Sequence, residues 1–231
     1  MAGLLEESRL IADTGVRLAF AVSLGRDSAV MLHALSRFTD LKKHAFFHWS
    51  HYPEMLPYHR RYLDLVERTY GIKVQVHLWP EVIGAKEADF VRDFLGRNGC
   101  GLALFGYRMD ESLQRRGMLN RLTDGIDHER RWAYPLRSFT APKIRAYARN
   151  FRLPLSIEYQ MGMRHDMTEH RGVNAFYLRH FIGEADYQAA IRQVPEVEID
   201  YTRVINDKDF IENFSKKVSA AEGHGGDDKP V

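Results

Sequence analysis

The chain has 231 residues, 45% of them hydrophobic, 12% aromatic and 28% charged, and a formal net charge of +2 at pH 7. That apolar content suffices for one sizeable core, and the small net charge excludes a global electrostatic field as the means of recognising nucleic acid or a membrane surface. A single cysteine, Cys100, excludes an internal disulfide framework and any zinc or iron–sulfur site built from several cysteines of one chain.

In chain order, the N-terminal residues include acidic side chains and no long apolar run, so neither a signal peptide nor a membrane span is expected. The expected location is the cytoplasm. Residues 4–13 read as a short amphipathic helix. Arg17–Val22 is a near-continuous apolar run, the pattern of a buried parallel strand. It leads into Ser23-Leu-Gly-Arg-Asp-Ser28, after which Val30, Met31, Ala34 and Leu35 recur at helical spacing, predicting a helix over 27–38. A strand that turns through a glycine into a helix presents backbone N–H groups and the positive end of the helix dipole, which together attract an anion. Ser23 and Ser28 add hydroxyl donors, Arg26 adds a cation, and Asp27 adds a carboxylate suited to Mg²⁺ or to orienting a donor. The same residues also fit an ordinary turn in which Asp27 and Ser28 cap the helix.

Lys43–His48 predicts a second strand, with Trp49–Pro53 as its C-terminal loop, and residues 54–70 a helix closed by Gly71. Ile72–Leu78 alternates as a third strand, Lys86–Leu95 is helical, and Gly101–Phe105 forms a fourth strand ending at Gly106. Arg131–Pro135 reads as a fifth strand, and Thr140 caps another helix that has Pro142 in its first turn. Beyond Leu153 the periodicity weakens through a methionine-rich connector, Tyr159–Thr168. Two short helices are expected over 173–182 and 184–193, then a helical or extended segment over 196–204 and a last helix over 207–218.

Alternating strands and helices imply right-handed crossovers and a Rossmann-like, doubly wound α/β fold. The expected organisation is a nucleotide-binding domain over 1–155 with a five-stranded parallel sheet, a helical C-terminal extension over 156–219, and a disordered tail over 220–231. In such sheets ligands sit beyond the carboxyl ends of the strands. The unusual loops at 23–28, 48–53 and 106–116 all fall there.

The third of these loops lies in Phe105-Gly-Tyr-Arg-Met-Asp-Glu-Ser-Leu-Gln-Arg-Arg-Gly117. Arg108, Arg115 and Arg116 offer planar forks for phosphate or sulfate, and Asp110 and Glu111 are placed to orient them or bind a metal. An isolated run of this kind also fits a solvated helix with internal ion pairs. Cys100, at the start of an apolar run, reads as a small buried residue rather than a reactive thiol. Histidines 44, 48, 51, 59 and 77 show no metal-ligand spacing, and His165 and His170 are five apart, off one helical face. Trp49, His51 and Tyr52 suit stacking on an adenine or covering the core. Arg60, Arg61, Arg121, Arg130 and Arg131, with the pair at 115–116, would form a basic surface only if the fold clusters them.

The Ser23–Ser28 loop lacks Walker A spacing. It resembles the PP-loop, S-G-G-x-D-S, of the ATP pyrophosphatase and phosphoadenylyl-sulfate (PAPS) reductase superfamily, with Ser23, Gly25, Arg26, Asp27 and Ser28 matching in kind. Leu24 stands where that family has its first glycine, and its side chain is expected to restrict the approach of backbone to phosphate. The segment from Gly106 resembles the family's G-x-R-x-D-E-S-x-x-R element. Trp132–Thr140, through Leu153-Pro154 to Tyr159, resembles its Y-P-L-x-x-W-T helix and downstream G-L-P element, and Tyr52-Pro-Glu54 its F-P-E. The likeness spans about residues 16–160, and is greatest to short members that phages encode, which would work in a host cytoplasm. Where the family has D-T-G this chain has Phe47, His48 and Trp49, and no cysteine follows Cys100, so stand-alone reduction through a thiolate is not expected.

The resemblance implies ATP or PAPS as ligand, with Mg²⁺, and cleavage of ATP between its α and β phosphates to adenylate an acceptor. The implied nucleotide-binding residues are Ser23, Leu24, Gly25, Arg26, Asp27 and Ser28, then Phe47, His48 and Trp49, then Gly106, Arg108, Asp110, Arg115 and Arg116. Arg26, Asp27, Arg108 and Arg115 are the implied catalytic residues, with Asp27 on the metal. Two other readings stand beside this one: a non-catalytic nucleotide-binding module, favoured by Leu24 and the missing D-T-G, and a subunit of a sulfur-transfer or nucleic-acid-modifying system whose thiol comes from a partner. The implied partners are an adenine nucleotide and a protein or nucleic-acid acceptor, with no membrane; the C-terminal extension suits either the nucleotide site or a homo-oligomer contact.

Overall fold

The computed structural model describes residues 2–50, 54–78, 87–160 and 175–212. The chain divides into two compact units, Met1–Tyr159 and Gln160–Val231. The first unit opens with α1 (Ala2–Asp13), then β1 (Leu18–Ala21), α2 (Arg26–Ser36), β2 (Ala45–Ser50), α3 (Pro57–Tyr70) and β3 (Gln75–Leu78). It continues through α4 (Glu87–Arg97), β4 (Leu102–Leu104), α5 (Leu113–Leu119), β5 (Ile126–Asp127), β6 (Trp132–Ala133), α6 (Ala141–Asn150) and the single turn α7 (Ile157–Gln160).

The sheet has the order β3-β2-β1-β4-β6-β5. β1, β2, β3, β4 and β6 are mutually parallel, and β5 pairs antiparallel with β6 at the edge. The expected five parallel strands are therefore present, but the sheet has six strands. Ile126–Asp127 is too short to show any periodicity, and it forms because Gly125, at φ +77°, folds the chain back onto β6.

Strand alternation distributes side chains to two buried faces. Leu18, Phe20, Val22, Phe46 and Leu104 join one core with Met31 and Leu35 of α2, Leu63 and Val66 of α3, and Ile144 and Tyr147 of α6. Ala19, Ala45 and Ala103 point the other way and leave room for a second core of Phe47, Phe94, Phe105, Trp132 and Tyr134. Both faces are thus covered, as a parallel sheet requires. Gly71 ends α3 in the left-handed region at φ +64°, and just past it the buried Glu67 takes the Val74 N–H at 2.8 Å. Among the described residues no helix is long and apolar enough to cross a membrane.

The second unit contains a π-helical turn (Leu178–Ile182) and the helices α8 (Glu184–Gln193) and α9 (Glu196–Ile205). The segment over 196–204, open between helix and strand from sequence, is helical. Tyr187, Ala190 and Val197 are buried, and the Arg179 guanidinium lies 5.0 Å from the ring centres of both Tyr187 and Tyr201. The connector through Thr168, the end of the helix expected over 207–218 and the tail from 220 lie outside the described residues, as do His51, Tyr52 and Pro53.

Cys100 enters β4 with its thiol buried, donating to the Leu18 carbonyl at 3.4 Å, and burial pushes its pKa up. A thiol held neutral in this way is a poor nucleophile. Alkylation by iodoacetamide at neutral pH is expected to be far slower in the folded chain than in urea, and equal rates would contradict this placement.

Candidate functional site

The order β3-β2-β1-β4 puts the topological switch point between β1 and β4, where crossovers leave in opposite directions and open a crevice beyond the carboxyl ends. The loop at 23–28 follows β1 and the loop at 106–112 follows β4. The two charged loops therefore meet at the crevice.

Gly25 is the N-cap of α2, with φ −84° and ψ 168°. Having no side chain, it leaves the first-turn N–H groups of α2 without a capping oxygen. Neither Asp27 nor Ser28 fills that role. The buried Ser28 hydroxyl instead accepts the Ser23 N–H at 2.9 Å and shares a hydrogen bond of 2.7 Å with the Ser23 hydroxyl, so the two serines brace the loop. Leu24 sits at φ +59°, a region costly for a residue with a Cβ, and is only 2% exposed. Its side chain packs with Val22 and Met31 in the core. The expected obstruction is therefore corrected: Leu24 takes the backbone shape a glycine would and hides its side chain.

Across the crevice, Arg108 lies with its side chain only 10% exposed, its Nε 3.1 Å from Asp27 Oδ1. Its Nη1 donates to Asp110 Oδ1 at 2.6 Å, and its Nη2 stands 3.6 Å from Glu111 Oε1. Glu111 also accepts the Arg108 backbone N–H at 3.0 Å and a hydrogen bond from the Arg115 guanidinium. Burial pushes the Asp27 pKa up; Arg108 opposes this, while Glu111 adds to it. Gly106 faces Asp27, and a Cβ there would stand 3.4 Å from the Asp27 Cβ. Arg108 is thus not an open fork awaiting an anion but the centre of an acidic shell.

Asp110 has a second role the sequence did not reveal. Its Oδ2 accepts the Ala141 N–H at 2.6 Å, so it caps α6 from 31 positions away while Thr140 makes no capping bond. Arg115 lies 4.1 Å over the Tyr107 ring, and both line an open cavity of about 470 Å³ with Glu111, Ser112, Gln114 and Met118. Glu87, whose pKa burial pushes up, accepts the Tyr107 hydroxyl at 3.4 Å, and burial raises the Tyr107 pKa to about 12. Arg116 is exposed, its Nε 3.4 Å from the Met109 carbonyl.

Of the residues suited to stack on an adenine, Trp49 lies within the strand, while His51 and Tyr52 lie outside the described residues. β2 runs on to Ser50, and by its place in the strand alternation Phe47 faces the second core at 0% exposure. His48 donates from Nδ1 to the Val22 carbonyl at 2.7 Å, and the Trp49 ring packs 5.2 Å from Phe47 and 5.6 Å from Phe90. Phe47 is closed off in the core, and His48 ties the end of β2 to the base of the Ser23–Ser28 loop. Tyr159, not among the expected site residues, does reach the loop. The Arg26 guanidinium lies 4.5 Å over its ring, and its hydroxyl stands 3.1 Å from where a Cβ on Gly25 would be.

This arrangement, a mostly parallel sheet covered by helices on both faces with a glycine-capped helix at its switch point, defines a Rossmann-like α/β fold. No protein-family model and no curated protein matches the chain. Solved structures do. The chain is similar in fold to the U34-tRNA thiolase NcsA from Methanococcus maripaludis with its 4Fe–4S cluster (14% identity over 82% of this chain and 77% of that one, TM-score 0.47). It is similar to a PAPS reductase from Candida auris in a phosphate complex (12%, 70% and 85%, TM-score 0.48). It is also similar to an NH₃-dependent NAD synthetase from Campylobacter jejuni in complex with nitrate (12%, 85% and 94%, TM-score 0.49).

Leu24→Gly would remove strain of about 1–2 kcal/mol, but it would forfeit a buried leucine worth about 2–5 kcal/mol. Burial wins, so the variant should unfold at lower urea than the parent. Equal or greater stability would show that the left-handed backbone, not the core contact, dominates at this position.

Proposed function

We propose that the protein binds an adenine nucleotide with its phosphates on the Ser23–Ser28 loop, and that it cleaves ATP between the α and β phosphates to adenylate an acceptor. The observation that carries this reading is the meeting of two charged loops at the switch point, with the uncapped first turn of α2 beside the Asp27–Arg108 pair. Phosphate oxygens would accept the N–H groups of Arg26, Asp27 and Ser28, where the helix dipole also favours negative charge. An acceptor nucleophile attacks the α-phosphorus, the bond from that phosphorus to the α–β bridging oxygen breaks, and pyrophosphate leaves with the electron pair. Arg26 and Arg108 would lie on the side where that charge develops, and Arg115 is linked to Arg108 through Glu111.

Asp27 suits a magnesium ion in one respect: its Oδ1 is buried and accepts no hydrogen bond among the described residues. One carboxylate beside nucleotide phosphates and water is a normal donor set for Mg²⁺. Bound there, the ion would neutralise charge on the β and γ phosphates. Among the described residues no group of three His, Cys, Asp or Glu is placed to hold a metal by itself, so binding of the ion would depend on the nucleotide. For its part, Arg108 can turn from Asp27 towards phosphate while Asp110 and Glu111 keep it in the crevice.

A binding module without turnover is the second reading, and a specific observation favours it: every nitrogen of the Arg108 fork already faces a carboxylate. Thiol chemistry by this chain has no support, because its one cysteine is buried away from the crevice; a sulfur-transfer role would take its thiol from a partner.

ATP with Mg²⁺ is expected to raise the melting temperature and adenosine to do so far less, since binding to the folded state stabilises by mass action. Equal shifts would count against phosphate recognition. Asp27→Asn should bind ATP within about tenfold of the parent yet lose at least about a hundredfold in AMP release with a competent acceptor. Tight ATP binding by the parent with no AMP released for any acceptor or partner tried would leave the binding module standing.

A further inference from the structure

Tyr159 sits where neither the PP-loop resemblance nor the strand–helix pattern places a ligand-binding residue. It belongs to α7, the last turn of the first unit, and meets the phosphate loop at two points. The Arg26 guanidinium lies 4.5 Å from its ring centre, within cation–π range, and its hydroxyl stands 3.1 Å from the position a Cβ would take on Gly25.

The second contact explains the glycine. With φ −84° and ψ 168°, Gly25 has a backbone any residue can adopt. What a side chain would meet there is the Tyr159 hydroxyl at 3.1 Å and the Ser23 hydroxyl at 3.2 Å. A side chain over Gly25 would crowd both hydroxyls, of which Ser23's is shared with Ser28 and Tyr159's stands at the mouth of the α2 N-terminus, where the helix dipole favours an anion.

The first contact concerns Arg26. A long side chain on a first helical turn has many rotamers, and fixing one for a ligand costs rotamer entropy. An aromatic face under the guanidinium fixes it beforehand and leaves the donors at its edge available to phosphate oxygens.

We infer that Tyr159 completes the phosphate cradle: its hydroxyl donates to a phosphate oxygen above Gly25, and its ring holds Arg26 in the geometry that meets the same group. Tyr159 thus joins the site as a ligand-touching residue and as a positioning residue for Arg26. This rests on the reading of the Ser23–Ser28 loop as a phosphate site.

The test is calorimetric titration of the full chain with magnesium pyrophosphate, comparing the parent with Tyr159→Phe, Tyr159→Leu, Arg26→Gln and the Tyr159→Leu/Arg26→Gln double variant. Melting temperatures are recorded alongside. Tyr159→Phe keeps the ring and should bind about tenfold more weakly, the loss of one hydrogen bond to a charged group. Tyr159→Leu should lose more, and in the Arg26→Gln background that extra loss should vanish, an interaction a merely structural role would not produce. If Tyr159→Leu does not fold, Tyr159→Phe decides alone. Pyrophosphate binding by Tyr159→Phe as tight as the parent's, or tighter, would overturn the inference and leave the loop assignment standing. A losing Tyr159→Leu whose extra cost persists in full without Arg26 would overturn it too. No binding by the parent would overturn the loop assignment, and this inference with it.

Discussion

Arg108 carries a full positive charge with only 10% of its side chain exposed, and a charge buried so far without partners would cost several kcal/mol. The loop after β4 and the start of α2 are built to supply those partners. Asp27 comes from the helix across the crevice, while Asp110 and Glu111 come from the loop itself, two and three residues beyond Arg108. Because Asp110 also holds the first N–H of α6, the same ion-pair network fixes a helix that packs beside α2 on the same face of the sheet. Removing one carboxylate would therefore loosen more than one element.

The network also decides what the site can do at rest. Counting Asp27, Asp110 and Glu111 against Arg26, Arg108 and Arg115, the charges at the crevice balance, so attraction for an anion falls to the backbone. In the proposed function the uncapped α2 N–H groups and the helix dipole would provide it. A phosphate arriving there would then compete with Asp27 for Arg108, and a divalent cation arriving with it would offer Asp27 a replacement partner. Exchange of partners conserves charge in a crevice where an unpaired charge is expensive.

Much of this was legible in the sequence because its signals are local. The apolar run into Gly25, the helical spacing of Val30, Met31, Ala34 and Leu35, and Gly71 as a helix stop each lie within one turn or strand. The failures are at longer range or turn on direction. β2 extends two residues beyond His48, which puts Trp49 inside the strand, and alternation within the strand turns Phe47 into the core. β5 consists of two residues that pair only because β6 is there to receive them. Asp110 reads as a site carboxylate, and only the fold brings the Ala141 N–H to it. Leu24 reads as an obstacle because a leucine does not announce a φ of +59°. Tyr159 lies more than a hundred residues from the loop it touches, beyond any spacing argument.

The central claim is that α2's first turn is where phosphate binds. A crystal structure of the chain with Mg²⁺ and the non-cleavable analogue α,β-methylene-ATP tests it most directly. The account predicts β- and γ-phosphate oxygens within hydrogen-bond distance of the Arg26, Asp27 and Ser28 N–H groups, with Arg108 turned from Asp27 towards them. Phosphates held elsewhere, for example in the cavity between Tyr107 and Arg115, with the Ser23–Ser28 loop empty and the Asp27–Arg108 pair intact, would contradict it.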